Sequence, residues 1–193
     1  IKNIQKGFNI FLKTSNPKIK PIFVNNFKWL GKLNYIKFLR EIGKHFTINK
    51  MLSFDSVKLR LDREQSLSYM EFNYMILQAY DFLELSKNKN CLMQIGGSDQ
   101  WGNIVNGVEL IKRYSGKQSF GLTTPLITLA SGTKMGKTEA GAIWLDKKFL
   151  SAYDYWQFWR NVDDRDVIKF LKMFTDLSTD EINKIKDENI NNL

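Results

Sequence analysis

Residues 91–103 read CLMQIGGSDQWGN, and their order of apolar, glycine and helix-forming residues indicates the fold class. The apolar run from Cys91 to Ile95 is typical of a buried strand, and Gly96 and Gly97 end it. A helical pattern follows from Trp101 to Tyr114, so a strand leads through a glycine turn directly into a helix. Alternating strands and helices predict an α/β fold with a parallel sheet, in which ligands bind at the carboxyl ends of the strands.

Downstream of this stretch, the pattern predicts two more strands, Thr123–Leu129 and Ala142–Leu145, separated by a glycine-rich loop over residues 130–141. After Lys147 the pattern becomes purely helical. We therefore predict that residues 148–193 form the start of a separate α-helical domain. Three residues there are predicted helix caps, namely Ser151, Asp163 and Ser178.

The upstream sequence is mostly helical in pattern. Ser68 to Leu85 predicts a long helix, with Ser68 and Glu71 at the spacing of a capping box. Before it we expect a helix over Trp29–Phe46 and a short helix around residues 50–61. The N-terminal residues predict the end of a helix, then a turn and a short strand at Ile22–Val24.

Composition excludes several classes of protein and site. The chain has 193 residues, 43% of them apolar, which is typical of a globular protein. Its single cysteine, Cys91, excludes an internal disulfide and indicates a reducing compartment. With His45 as the only histidine, a metal site of several His or Cys ligands is excluded. No apolar stretch approaches the roughly 18 residues of a membrane span.

The positive charge is concentrated near the N-terminus. Residues 1–60 carry a balance of +11, whereas residues 61–193 carry −2. A basic surface favours an anionic partner such as nucleic acid. Lysine, asparagine and isoleucine are abundant throughout, however, so enrichment by an AT-rich genome explains the same charge.

Three polar residues interrupt the otherwise apolar helix predicted over 68–85. Tyr74, Gln78 and Asp81 are four and three residues apart, and at about 100° per residue they share one face. A carboxylate among apolar residues needs a donor, so this stripe could line a pocket for a small polar ligand. Taken alone, the stripe is explained more simply by contact with solvent or with a neighbouring strand.

Two glycine-containing segments complete the set of motifs. In GGSDQWGN, residues 96–103, the glycines allow a close approach of a ligand, and Asp99 could bind ribose hydroxyls or simply cap the following helix. In KMGKT, residues 134–138, two lysines in a glycine-rich loop could close over phosphates, although most exposed lysine pairs are only solvated.

Together these motifs resemble the class I aminoacyl-tRNA synthetases, and among them the tyrosyl-tRNA synthetases of bacteria and organelles. KMGKT resembles the KMSKS loop of the class, and GGSDQWGN and YMILQAYD (residues 74–81) resemble the family's ribose and tyrosine segments. NNFKWLGKL (residues 25–33) and GKHFTINKML (residues 43–52) are similar to its connecting insertion. The loop departs from the pattern at Gly136 and Thr138, where the class has serines.

The resemblance implies the second half of a class I Rossmann-type catalytic domain over residues 1–147, with the helical connecting insertion at about 1–67. The helical domain from residue 148 would be the start of an anticodon-binding domain. The class also needs a HIGH motif with two histidines, which this chain lacks. We expect that motif upstream of Ile1, and we expect residues 1–193 alone to be inactive.

The resemblance also implies roles for individual residues. Tyr74 and Gln78 would hold the ammonium of tyrosine, and Asp81 would accept its phenolic hydroxyl. Gln94 would lie beside the amino acid, and Gln100 would bind the aminoacyl group. Gly97 and Asp99 would bind the ribose of ATP, and Leu126 and Ile127 would contact its adenine. The leaving pyrophosphate would be stabilised by Lys134, Lys137 and Thr138. Met135 would anchor the loop.

The implied reaction is the activation of tyrosine by ATP, which releases pyrophosphate, followed by transfer of tyrosine to tRNA(Tyr). Mg²⁺ is expected with ATP, and no protein ligand for it can be named. The implied protein is a homodimer in the bacterial cytoplasm or an organelle matrix, with no membrane association. Tryptophanyl-tRNA synthetase is a related alternative that Tyr74, Gln78 and Asp81 argue against. A non-catalytic RNA-binding relative is the alternative from another functional class.

Overall fold

The computed structural model describes residues 2–12, 18–135 and 143–191. Its helices are α1 (Lys2–Phe11), α2 (Phe27–Leu30), α3 (Tyr35–Glu41), α4 (Ile48–Leu52), α5 (Asp55–Asp62), α6 (Tyr69–Lys89), α7 (Trp101–Ser115), α8 (Ala152–Arg160), α9 (Asp164–Phe174) and α10 (Thr179–Asn191). The two strands are β1 (Met93–Gly97) and β2 (Phe120–Thr124). The described residues divide into a sheet unit, residues 22–126, and a helical unit formed by residues 2–12, 18–21, 127–135 and 143–191.

The two strands pair in parallel, with Met93 opposite Phe120 and Gly97 opposite Thr124. Helix α7 is the crossover between them, so the predicted strand, glycine turn and helix are confirmed. The second strand lies earlier than predicted, because it ends at Thr124 rather than Leu129. Pro125 follows immediately, and a proline has no backbone N–H to continue the hydrogen-bonded ladder.

Helix α6 begins as the capping-box pattern predicts. The Ser68 side chain accepts a hydrogen bond from the Glu71 backbone N–H, and the Glu71 side chain accepts one from the Ser68 backbone N–H. The helix then packs against α7, and Phe82, Leu83 and Ile111 lie fully buried in the core of the sheet unit. This packing fixes the face of α6 that the polar stripe occupies.

The helix predicted over Trp29–Phe46 is wrong as a single element. The structure has α2, then α3, then a 3₁₀ turn at Gly43–His45. Asn34 begins α3 by accepting a hydrogen bond of 3.0 Å from the Lys37 backbone N–H. An asparagine that caps a helix in this way competes with continuation of the preceding helix, which explains the break.

Three further boundary predictions need correction. Residues 22–24 form no strand, because an apolar sequence of β-branched and aromatic residues favours a strand only where another strand can pair with it. The predicted helix around 50–61 is two helices, α4 and α5, and the Ser53 hydroxyl donates to the Lys50 carbonyl at the break. The predicted strand Ala142–Leu145 is absent over residues 143–145, and residue 142 lies outside the described residues.

The helical unit confirms the three predicted caps. The side chains of Ser151, Asp163 and Ser178 accept hydrogen bonds from backbone N–H groups at the starts of α8, α9 and α10. Its core is aromatic, and the Trp159 ring lies 5.8 Å from the ring of Phe170. The domain boundary between residues 147 and 148 stays a prediction. Among the described residues, no helix combines the length and apolar character that crossing a membrane requires.

Candidate active site

A pocket of about 380 Å³ opens beside α6 in the sheet unit. Its volume is that of a site for a small ligand. The lining residues are Asn26, Leu30, Tyr74, Leu77, Gln78, Asp81 and Gln100. The structure therefore brings four of the residues predicted to bind substrate around one pocket, and the polar stripe of α6 forms one of its walls.

Asp81 is the most firmly placed polar group in this pocket. The Trp29 indole Nε1 donates to Asp81 Oδ1 at 2.6 Å, and Asn26 Nδ2 donates to Asp81 Oδ2 at 3.0 Å. An ionised carboxylate oxygen has two acceptor positions, so each Asp81 oxygen can still accept one more hydrogen bond. Both protein donors are neutral, so the negative charge remains available to a hydroxyl or cationic group in the pocket.

Sequence reasoning did not find Asn26 and Trp29 as site residues. Both lie in the segment NNFKWLGKL, which the resemblance assigned only to a connecting insertion. The one available signal was general: a carboxylate among apolar residues needs donors, and tryptophan and asparagine supply them without adding charge. Nothing in the spacing of the chain identified which tryptophan or asparagine would reach Asp81.

The end of β1 passes into α7 with very little space. A Cβ atom at Gly97 would lie 2.7 Å from Asp99 Oδ1 and 2.9 Å from Leu126 Cδ2, so no larger residue fits without a shift. The structure thus brings Gly97, Asp99 and Leu126 together at the carboxyl end of the strand. Parallel α/β sheets bind ligands at such an end.

The interpretation of Asp99 as a simple helix cap is wrong. A 3₁₀ turn, Ser98–Gln100, separates β1 from α7, and Gln100 occupies the cap position of α7 without a side-chain capping bond. Gln100 instead accepts a hydrogen bond of 3.1 Å from Asn103 Nδ2. This contact orients the Gln100 side chain at the edge of the pocket.

Gln94 is not among the pocket-lining residues. Its Oε1 is buried and has no hydrogen-bond partner among the described residues. The same oxygen lies 3.5 Å from where a Cβ on Gly107 of α7 would be, so the amide points toward α7. Its predicted position beside the amino acid stays a prediction.

The helical unit holds three of the remaining predicted residues, Ile127, Lys134 and Met135. Ile127 and Met135 pair through a 2.9 Å hydrogen bond from the Met135 N–H to the Ile127 carbonyl, and Lys134 lies opposite Thr128 in an antiparallel bridge. We call residues 127–135 the 127–135 hairpin. The Lys134 side chain is exposed. Lys137 and Thr138 lie outside the described residues.

The family model described as "tRNA synthetases class I (W and Y)" matches residues 3–193. The chain belongs to this family. Its sequence is 76% identical over all 193 residues to a protein named tyrosine–tRNA ligase from Pelagibacter ubique, of which it covers 47%. It is 60% identical, over 96% of its length, to a protein of the same name from Novosphingobium aromaticivorans, of which it covers 46%.

The fold of this class I synthetase chain also matches a solved structure. A truncated mitochondrial tyrosyl-tRNA synthetase of Aspergillus nidulans superposes with a TM-score of 0.76 at 33% identity, over 97% of this chain and 53% of the other. The predicted class I α/β fold and the resemblance to tyrosyl-tRNA synthetases are thereby confirmed. The chain spans about half the length of the curated relatives it matches.

Proposed function

We propose that this protein, in its full-length form, is a tyrosine–tRNA ligase that activates tyrosine with ATP and transfers it to tRNA(Tyr). One observation carries the proposal: Asp81 is held by two neutral donors at the wall of a pocket sized for a small ligand. A fixed carboxylate with free acceptor positions suits a phenolic hydroxyl, which is the group that distinguishes tyrosine from phenylalanine.

The other polar groups of the pocket fit the rest of the amino acid. Tyr74 and Gln78 lie on the same face of α6 as Asp81 and offer oxygen acceptors for an ammonium group. Gln100, oriented by Asn103, would contact the aminoacyl group. Gln94 keeps its predicted place beside the amino acid.

We assign the strand end of the sheet unit to the nucleotide. Asp99 would accept hydrogen bonds from the ribose hydroxyls, and Gly97 would allow the ribose close to the backbone. Leu126, packed against the Gly97 position, would contact adenine. Ile127, Lys134, Met135, Lys137 and Thr138 keep the roles that the resemblance implies, namely adenine contact, loop anchoring and stabilisation of leaving pyrophosphate.

The proposed chemistry needs positioning and charge stabilisation rather than covalent catalysis. The tyrosine carboxylate attacks the α-phosphate of ATP, pyrophosphate leaves, and a ribose hydroxyl of the tRNA terminus then attacks the adenylate. Among the described residues, no three His, Cys, Asp or Glu side chains cluster as a metal site would require. Mg²⁺ would enter the reaction as the partner of the ATP phosphates.

We also propose a homodimer. The sheet unit exposes large apolar side chains on its helical segments before and at the start of α6, including Ile36, Ile48, Tyr69 and Met70. Exposed apolar surface of this kind favours a protein interface. Sedimentation equilibrium of the full-length protein tests the dimer, and a monomer at micromolar concentration would contradict it.

Tyrosine-dependent exchange of pyrophosphate into ATP by the full-length protein tests the ligase function. We expect exchange with tyrosine and at least a hundredfold less with phenylalanine, because phenylalanine would cover the free acceptor positions of Asp81 without donating to them, at a cost of roughly 3 kcal/mol. A protein that binds tRNA(Tyr) but shows no exchange would instead be the non-catalytic RNA-binding relative.

A further inference from the structure

Helix α9 holds the 127–135 hairpin through two side chains. Asp166 Oδ2 accepts a hydrogen bond of 2.6 Å from the Ala130 backbone N–H, and Lys169 Nζ donates to the Thr128 carbonyl. Lys169 also forms an ion pair with Asp166, one helical turn away. The ion pair, which we call the clamp, thus binds one backbone N–H and one carbonyl of the first arm of the hairpin, residues 127–130.

The geometry of the arm explains why these two groups need partners. The inner edge of the arm pairs with the return arm, because the Leu129 N–H donates to the Thr133 carbonyl and the Met135 N–H donates to the Ile127 carbonyl. Alternate residues of an extended arm face opposite edges, so Thr128 and Ala130 face outward. Asp166 and Lys169 lie where a third strand would pair. They bind the Ala130 N–H and the Thr128 carbonyl, two backbone groups of the outer edge that would otherwise lack these partners.

The hairpin has a tight turn that transmits this constraint. Gly132 has a φ of 82°, and its N–H donates to the Leu129 carbonyl at 2.8 Å, which closes the turn two residues before Lys134. Lys134 lies directly opposite Thr128, the residue whose carbonyl Lys169 binds. Any shift of the clamped arm therefore moves the backbone of Lys134.

Asp166 is only 3% exposed, which is costly for a carboxylate without compensation. Its hydrogen bond with Lys169 and that from Ala130 hold its pKa below its ordinary value, so the Asp166 carboxylate is ionised near neutral pH. By contrast, Asp163, the N-cap of α9, pairs with Arg165 at the exposed surface.

We propose that Asp166 and Lys169 are positioning residues for tyrosine activation, because the pair fixes the hairpin arm opposite Lys134. The catalytic part of this statement rests on the proposed function. The structural part, that α9 clamps the hairpin, does not. Helix α9 then serves the activation step itself, in addition to any role in binding tRNA.

The test uses four variants of the full-length enzyme. Asp166→Asn keeps the shape and removes the charge, and Lys169→Gln removes the other partner. Asp164→Asn and Lys172→Gln make the same charge changes at exposed positions of α9 and serve as matched controls. We expect a loss of about 10- to 100-fold in the single-turnover rate of adenylate formation for the first two, as a displaced catalytic group produces. Tyrosine affinity and the control variants should stay within about twofold of wild type.

A double-mutant cycle with Lys134→Ala separates positioning from general destabilisation. If the clamp acts through Lys134, Asp166→Asn should add almost nothing to the loss that Lys134→Ala already causes. Full multiplication of the two losses, or an unchanged rate in Asp166→Asn, would overturn the proposal. Lys169→Arg, which retains a cation, should recover most of the rate lost in Lys169→Gln, and failure to do so would count against the clamp.

Hydrogen exchange at the Ala130 amide reports the clamp independently of activity. Its protection should fall in Asp166→Asn and persist in Asp164→Asn, and equal protection in both would overturn the structural part. A wild-type enzyme without tyrosine-dependent pyrophosphate exchange would instead overturn the proposed function, and the catalytic part of the clamp with it.

Discussion

Asp81 in the sheet unit and Asp166 in the helical unit are both carboxylates held by the chain, but they are held differently. Asp81 receives one neutral donor on each oxygen and lines a pocket. Asp166 is almost fully buried, and a lysine and a backbone N–H bind it. The first arrangement leaves charge and acceptor positions available to a ligand, whereas the second uses them within the protein. The same residue type can therefore recognise a substrate or fix a backbone, depending on its donors.

The comparison predicts that the hairpin affects the rate of activation, while the pocket affects both the rate and the recognition of tyrosine. Lys134→Ala in the full-length enzyme should slow tyrosine activation by raising its activation free energy by about 2–4 kcal/mol. This is the scale of a charge contact made in the transition state. Tyrosine affinity should change little, because the ground state gains nothing from this contact. Single-turnover kinetics and equilibrium binding of tyrosine measure the two quantities. A similar loss in the activation rate and in tyrosine affinity would mean that Lys134 contributes to substrate binding. An unchanged activation rate would mean that Lys134 is a solvent-exposed residue with no role in activation.

Asp81→Ala should show the complementary behaviour. Loss of a charged acceptor costs about 1.5–3 kcal/mol, and the loss should appear in kcat/KM for tyrosine. Activation of phenylalanine, which has no hydroxyl, should change less, so the preference for tyrosine should narrow. Pyrophosphate exchange with both amino acids measures the ratio. A preference that survives intact would show that Asp81 is not the partner of the phenol.

Trp29→Phe tests the donor rather than the acceptor. It removes one hydrogen bond to Asp81 while keeping most of the aromatic surface, so we expect a loss of about 1 kcal/mol in tyrosine binding. The same substitution at Trp156, an exposed indole of the helical unit, is the matched control. Equal tyrosine affinity in the two variants would mean that Asp81 is positioned without the indole.

Much of the fold follows from local sequence, but the site contacts do not. Ser68 and Glu71 lie three residues apart, and their capping box and the helix after it were predictable because both partners are local. The donors of Asp81 are 55 and 52 residues away in sequence, and Ala130 is 36 residues from Asp166. Contacts at such separations depend on tertiary packing within each unit, of α2 near α6 in one and of the 127–135 hairpin near α9 in the other, which residue spacing does not encode. The stripe of Tyr74, Gln78 and Asp81 was predictable as a face, whereas its ligand was not.

The basic surface of residues 1–60 is a weaker feature than either carboxylate site. Lys28 and Lys32 are exposed, whereas Lys50 forms an ion pair with Glu109, which makes the first two the cleaner test. Replacing both with Gln should make the dependence of tRNA(Tyr) binding on salt less steep. The slope of the logarithm of the binding constant against the logarithm of salt concentration should fall by about one unit for each phosphate that the protein no longer neutralises. Lys112 and Lys117, exposed residues of the sheet unit outside residues 1–60, provide a control pair with the same charge change. Filter binding at several salt concentrations should show the reduced slope only for the first pair, and equal slopes would favour simple lysine enrichment.

The two capping boxes are Ser68 with Glu71 in the sheet unit and Ser178 with Glu181 in the helical unit. Changes in them should have the smallest expected effect, on the free energy of unfolding. Glu71 accepts hydrogen bonds from Ser68 and from Arg60, which together lower its pKa from 4.5 to about 2. Glu181 accepts from Ser178, and that contact lowers its pKa without help from an arginine. A carboxyl group with a lowered folded-state pKa stabilises the protein above its unfolded-state pKa and loses that contribution as pH falls through the folded value.

The stability difference between wild type and Glu71→Gln should therefore be largest above about pH 4.5 and should shrink toward pH 2. Both carboxylates are solvent-exposed, so screening keeps the effect small. Glu181→Gln is the matched control, because it alters an equivalent box that lacks the arginine. Urea unfolding across the acid range should show a larger pH-dependent difference for Glu71→Gln than for Glu181→Gln. Equal differences would mean that the Ser68 box alone, without Arg60, determines the behaviour of Glu71.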